Sequence, residues 1–189
     1  MPNVLKVLLI AIVVIAGVYD LRFRRIPNWL NLSGVLLGIV INTAVFAEVD
    51  GVFRLMNALT GLKLAALGIG CALIVYVPLY LIRGMGAGDV KLMAAVGAIA
   101  GPWNWLCIFV ATALLGGVVS LVFVAMKRRL HHTCANVGMI ITELCRWRIP
   151  GETNTELDVR SPQSLGMPHG TLIALGAFAF LIISRGLPS

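Results

Sequence analysis

Long blocks of apolar residues alternate with short polar segments along the whole chain. About 20 apolar residues in an α-helix are enough to cross the hydrocarbon core of a bilayer. The pattern predicts transmembrane helices over residues 4–20, 30–47, 60–82, 90–101, 105–126 and 170–184. We therefore expect an all-α, polytopic membrane protein, a bundle of about six transmembrane helices, with residues 1–189 forming a single integral membrane domain.

The fourth block, residues 90–101, is short enough to be a re-entrant or interfacial segment instead of a full crossing. The basic residues favour a crossing. If all six blocks cross with the N-terminus outside, eleven of the fifteen Lys and Arg residues lie on the inner side, as the positive-inside rule requires. Those on the inner side are Arg22, Arg24, Arg25, Arg83, Lys91, Lys127, Arg128, Arg129, Arg146, Arg148 and Arg160.

One long connection, residues 127–169, follows the fifth block and begins with three basic residues. Apolar residues at Val137, Ile141 and Leu144 follow a helical spacing. This spacing predicts a short amphipathic helix on the inner leaflet, and an irregular cytoplasmic loop is the alternative.

Composition narrows the class of protein. Hydrophobic residues make up 59% of the chain and charged residues only 12%, about half of what a soluble domain carries. The net charge is +7, and the basic residues responsible for it lie between the apolar blocks. This distribution indicates that they orient the protein in the membrane and contact anionic lipid. It does not indicate a nucleic-acid-binding protein. None of the four cysteines forms a C-x-x-C pair, so we expect no metal site and no cofactor.

Two of the eight acidic residues, Asp20 and Asp89, lie directly beside predicted spans on the inner side, and the other six lie in loops. Asp20 closes the first predicted helix, where the partial negative charge of the helix C-terminus makes a carboxylate locally unfavourable. A structural alternative is a solvated carboxylate paired with Arg22, Arg24 or Arg25.

Asp89 follows a glycine-rich segment in which positions 84, 86 and 88 are all glycine. Such spacing predicts a tight turn with bare backbone, so Gly86 and Gly88 are candidates for contact with an extended substrate. Lys91 could hold a substrate carbonyl group, or could simply extend to the inner interface. The structural alternative for Asp89 is an N-cap of a helix that begins at Val90.

The two carboxyls together predict a chemistry that neither predicts alone. An ionised carboxylate can take a proton from water while a protonated neighbour donates a proton to the scissile amide, so the pair shares one proton. Asp20 and Asp89 are therefore candidate catalytic residues of a peptidase, with the roles of acid and base left open.

Four short motifs, spread over most of the chain, support the hypothesis of a peptidase. They are Tyr19-Asp20, Arg25-Ile26-Pro27-Asn28, Gly86-Ala87-Gly88-Asp89-Val90-Lys91-Leu92 and Met167-Pro168-His169-Gly170. With this topology they resemble the type IV prepilin peptidase family of GxGD intramembrane aspartic proteases. His169 stands where many members carry an aromatic residue.

The resemblance implies that Asp20 and Asp89 are the two catalytic aspartates. It implies endoproteolysis of the leader of a prepilin or pseudopilin at the cytoplasmic face of the bacterial inner membrane, in type IV pilus assembly or protein secretion. The chain lacks the paired C-x-x-C motifs of the larger bifunctional members. We therefore expect peptidase activity without N-methylation, as in the short enzymes of tight-adherence (Flp) pili, with no oligomeric state assigned.

Three alternatives use the same residues differently. An inactive membrane assembly factor could share the fold. A presenilin-like protease would share the GxGD motif, but those enzymes are longer. A small transporter would carry charged or broken-helix residues near the middle of the bilayer, and the sequence places none there.

Overall fold

The computed structural model describes residues 1–49, 52–53, 55–82, 85–126 and 169–186. Its helices are α1 (Asn3–Phe23), α2 (Asn28–Ala47), α3 (Leu55–Leu81), α4 (Ala87–Met126) and α5 (His169–Gly186). The first four are long and apolar enough to cross a membrane, and α5 is a shorter apolar helix. The prediction of an all-α, polytopic membrane protein is confirmed.

A short, tight connection joins α1 to α2. Arg24 ends α1 in a left-handed conformation (φ 50°), and its N–H donates to the carbonyl of Asp20. Pro27 then precedes the first residue of α2, a position where its fixed φ and missing N–H cost the helix little. The connection therefore turns the chain back immediately after Asp20.

Helices α3 and α4 approach each other at a pair of glycines. A Cβ atom added to Gly68 would collide with the carbonyl of Gly97, and one added to Gly97 would collide with the carbonyl of Gly68. Small residues allow two backbones to come this close in a membrane bundle, where van der Waals contact replaces the hydrophobic effect between helices.

The fourth and fifth predicted spans form one helical element, α4, which breaks at Gly101. Gly101 has φ 73° and ψ 173°, a conformation that essentially only glycine adopts, and Pro102 follows it. Gly101 lines a cavity together with Met1, Phe46 and Leu64, at the end of the bundle opposite Asp20. The second half of α4 then returns, because Ser120 and His169 line one pocket near the Asp20 end.

Two features differ from the sequence-based expectation. A two-residue hairpin, β1 (Glu48–Val49) with β2 (Val52–Phe53), joins α2 to α3, and strands this short leave no detectable pattern in a sequence. Helix α3 begins at Leu55, earlier than the predicted residue 60. The predicted amphipathic helix around Ile141 lies outside the described residues.

Apolar side chains divide between a buried core and the outer surface. The core includes Leu9, Val13, Met93 and Ile173, contributed by α1, α4 and α5. Many large apolar side chains of the same bundle are exposed, including Leu36, Leu114 and Ile182. In a membrane protein these exposed faces are the ones that contact lipid.

Candidate active site

Asp20 lies in the last turn of α1 but is only 7% exposed. The backbone N–H of Thr171, in the first turn of α5, donates to Oδ2 of Asp20 at 3.2 Å. A helix N-terminus carries partial positive charge, so α5 offsets the unfavourable field of the α1 C-terminus at this carboxylate. Arg22, Arg24 and Arg25 are exposed, and Asp20 is not the solvated carboxylate of the structural alternative.

There is little spare room around Asp20. A Cβ atom on Gly170 would lie 3.0 Å from Oδ2 of Asp20 and 3.0 Å from Cδ1 of Ile26. Such contacts are tighter than real Cβ atoms usually make. The absence of a side chain at residue 170 therefore lets the end of α5 reach the carboxylate.

Asp89 is equally enclosed, with 8% of its surface exposed. It lies inside the first turn of α4, which begins at Ala87. Its own N–H donates to the carbonyl of Gly86 at 3.2 Å, so Gly86 is the N-cap and Asp89 is the third residue of the helix, not the N-cap of a helix that begins at Val90. The Gly86 backbone N–H lies close enough to the Asp89 carboxyl group to favour its ionised form.

The fold brings Asp20 and Asp89 to the same end of the bundle, close enough for their charges to act on each other. His169, the first residue of α5, also acts electrostatically on Asp89. The charge of Asp89 in turn reaches Tyr76 of α3. Two buried carboxyls, an imidazole and a phenol therefore share one small region.

This arrangement is suited to proton transfer. Within the described ranges, no group of three His, Cys, Asp or Glu side chains is placed to hold a metal ion. Two neighbouring carboxyls of like charge favour a state in which one is protonated and one is ionised. Such a pair can activate a water molecule and protonate a leaving group.

The three predicted substrate-contact residues lie near Asp89 but differ in their surroundings. Gly86 is half-buried, and a Cβ atom there would lie 3.2 Å from Oδ2 of Asp89. Gly88 is half-buried in the first turn of α4. The exposed Lys91 donates from Nζ to Oδ1 of Asn28 at 2.9 Å, linking α4 to the start of α2. Gly84, the first glycine of the motif, lies outside the described residues.

A half-enclosed pocket of about 300 Å³ lies at the same end of the bundle, and its wall does not include Asp20 or Asp89. Tyr76 and His169, both within electrostatic reach of Asp89, belong to its wall. The remaining lining is mostly apolar and comes from α3, the second half of α4, α5 and Met85; we call this cavity the α3–α5 pocket.

Sequence reasoning missed the partner of Asp20 and the neighbours of Asp89. Thr171 acts through its backbone N–H, which every residue except proline has, so its side chain gave no signal. Tyr76 lies in an apolar helix where an aromatic residue is unremarkable. Asn31 of α2 is a further neighbour, because its Nδ2 donates to the Gly88 carbonyl at 3.4 Å.

Comparison with known proteins identifies a family and a relative. Residues 7–121 match the model of the Type IV leader peptidase family. The chain is also 34% identical over 123 residues to the Prepilin leader peptidase/N-methyltransferase of Escherichia coli (strain K12). That match covers 63% of this chain and 51% of the relative, so the chain spans about half the length of the protein it resembles.

No solved structure matches the chain. The matched region contains both Asp20 and Asp89 and ends before α5, which supplies the N–H bonded to Asp20. Since the family model covers more than half of the 189 residues, the chain belongs to the type IV leader peptidase family.

Proposed function

We propose that this protein is a membrane-embedded aspartic endopeptidase that removes the leader from prepilin-like substrates at the cytoplasmic face of the bacterial inner membrane. One observation carries the proposal: two buried carboxyls, from helices far apart in sequence, lie within electrostatic reach of each other at one end of the bundle. Membership of the type IV leader peptidase family supports the class of substrate.

In the proposed reaction, a water molecule lies between Asp20 and Asp89. The ionised carboxylate takes a proton from this water, and the resulting hydroxide adds to the scissile carbonyl carbon. The protonated carboxyl gives its proton to the amide nitrogen as the C–N bond breaks. One proton has been accepted and one donated, so the pair again shares a single proton after each turnover.

The substrate is proposed to lie in an extended conformation along Gly86 and Gly88. Its apolar helix reaches the site from the bilayer, and an apolar side chain beside the cleaved bond enters the α3–α5 pocket. The mostly apolar lining of this pocket, and the presence in its wall of Tyr76 and His169, which lie within electrostatic reach of Asp89, support that arrangement. The positive-inside pattern supports a site on the cytoplasmic side.

Co-expression with a prepilin and a gel-mobility assay for leader loss test the dyad. Asp20→Asn and Asp89→Asn should each abolish processing, since an amide can neither take nor share the proton, while both proteins still accumulate in the membrane. Glu48→Gln is the matched control, because Glu48 is an exposed acid beyond the other end of α2 and should leave processing unchanged. Cleavage that survives either aspartate change contradicts the dyad.

Gly88→Ala tests the proposed substrate contact. A Cβ atom at residue 88 would lie 3.5 Å from Cβ of Ile26, an ordinary van der Waals distance, so the variant should fold normally. If an extended substrate lies against this backbone, KM should rise while kcat changes little. An unchanged KM would show that Gly88 makes no contact with the substrate.

The expectation of peptidase activity without N-methylation is tested separately. Mass spectrometry of the processed pilin, from cells whose only peptidase of this family is the present one, should find a free, unmethylated N-terminal amine. A mass increase of one methyl group would overturn this part of the proposal and leave the peptidase part intact.

A further inference from the structure

We infer that Asn31 is a positioning residue for Asp89, an inference that rests on the proposed peptidase function. Asn31 belongs to α2, is only 2% exposed, and donates from Nδ2 to the carbonyl oxygen of Gly88 at 3.4 Å. That carbonyl belongs to the peptide unit that joins Gly88 to Asp89. The hydrogen bond therefore restrains the backbone from which the Asp89 side chain extends.

The first turn of α4 needs such a restraint. Asp89 lies in the terminal turn of α4, and the terminal turns of helices open more easily than their interiors. The segment before Asp89 contains Gly86 and Gly88, and glycine restricts the backbone less than any other residue. A bond from a neighbouring helix to the Gly88 carbonyl limits this motion at the residue where the reaction needs a fixed carboxyl.

A contribution to folding stability does not by itself explain why a buried asparagine occupies residue 31. Its hydrogen bond is long, and its Oδ1 atom is buried without a partner among the described residues. An unpaired buried acceptor costs folding free energy, so an apolar side chain of similar shape would be tolerated at least as well. A local cost of this kind is expected where a residue serves function.

Asn42 provides a matched comparison on the same pair of helices. It is 3% exposed, lies about three turns further along α2, and donates from Nδ2 to the carbonyls of Ala98 at 2.8 Å and Ile99 at 3.1 Å. Asn42 lines the cavity at the end of the bundle away from Asp89. It therefore forms better hydrogen bonds than Asn31 and lies too far from the carboxyls to position them.

The experiment compares Asn31→Leu with Asn42→Leu in purified, detergent-solubilised protein, using a prepilin as substrate. Asn31→Leu should lower kcat by about 10- to 100-fold, the loss expected when a reacting group is misplaced by about 1 Å, with KM and Tm nearly unchanged. Asn42→Leu should lower Tm and leave kcat within about twofold of wild type when assayed below its Tm. Asn31→Gln keeps the amide and should recover part of the lost kcat.

Asn31→Ala serves as a second variant if the leucine protein does not accumulate, since it removes the amide without adding bulk. A wild-type kcat in Asn31→Leu or Asn31→Ala, or a loss of kcat that only follows a loss of Tm, would overturn the positioning role. The proposed function would survive that outcome as long as the wild-type protein cleaves the prepilin and Asp89→Asn does not. If the wild-type protein does not cleave, both inferences fall.

Discussion

At the scale of single residues, the ends of two helices define the surroundings of Asp20. The carboxylate belongs to the C-terminal turn of α1, and the N–H it accepts belongs to the N-terminal turn of α5. Because no side chain occupies residue 170, these two ends can meet. The geometry at Asp20 should therefore be sensitive to one added methyl group.

Gly170→Ala tests that sensitivity. The new Cβ atom would press on both Asp20 and Ile26, and relief requires that α5 or the carboxylate move by a few tenths of an ångström. We expect processing to slow by about 10-fold or more, since small displacements of reacting groups are costly. Initial rates of leader removal, normalised to the amount of enzyme in the membrane, provide the measurement.

Gly70→Ala is the control for this change. Gly70 lies in α3, and a Cβ atom added there would have nothing within 4 Å, so the same added group should leave the rate unchanged. Equal rates for wild type, Gly170→Ala and Gly70→Ala would show that α5 does not hold Asp20 in the working enzyme.

The two candidate carboxyls could be predicted from the residue types in the sequence alone. Acidic residues are scarce in an apolar chain, so Asp20 and Asp89 stand out, and the surrounding motifs point to a family. The placement of the backbone groups around them could not be predicted. Thr171 lies 151 residues from Asp20, and no local pattern indicates that its N–H will face that carboxylate.

At the scale of helices, the break in α4 determines where Asp89 can lie. The first half runs from the Asp20 end to Gly101, and the second half returns toward the α3–α5 pocket. Hydropathy predicted two apolar blocks here because it responds to the average along the chain. The conformation of Gly101 and the helix start at Ala87 depend on local backbone geometry, which hydropathy does not report.

Gly101→Ala should weaken this reversal. An alanine at φ 73° and ψ 173° is strained, and the cost of such a conformation is about 1–3 kcal/mol. We expect the free energy of unfolding to fall by that amount, measured by denaturant unfolding in mixed micelles. Gly117→Ala adds a methyl group in open space on the same helix and should leave stability unchanged or raise it by up to about 1 kcal/mol, because alanine favours a helix more than glycine does.

At the scale of the whole molecule, the lipid-facing surface and the distribution of charge decide how the bundle lies in the membrane. Alternating apolar blocks were enough to predict the class of fold, because a span must be long and apolar whatever its neighbours are. The packing order of the helices could not be predicted. It depends on contacts such as Gly68 with Gly97, which only the assembled bundle reveals.

Labelling of single cysteines tests the predicted orientation. In a variant without Cys71, Cys107, Cys134 and Cys145, Trp103→Cys and Trp29→Cys place thiols at exposed positions near opposite ends of the bundle. An N-terminus outside predicts that a membrane-impermeant reagent labels residue 103 in intact cells and residue 29 only after the inner membrane is opened. The reverse labelling pattern would show that the protein has the opposite orientation, with the candidate site on the outer face.

The hydrogen bond between Thr171 and Asp20 also has a consequence for the order of synthesis. Asp20 is synthesised well before Thr171, which lies 151 residues further along the chain. A nascent chain that already contains both aspartates still lacks the α5 amide that holds one of them. The surroundings of Asp20 are therefore complete only after α5 has been synthesised, and we expect a chain that stops before α5 to lack this contact.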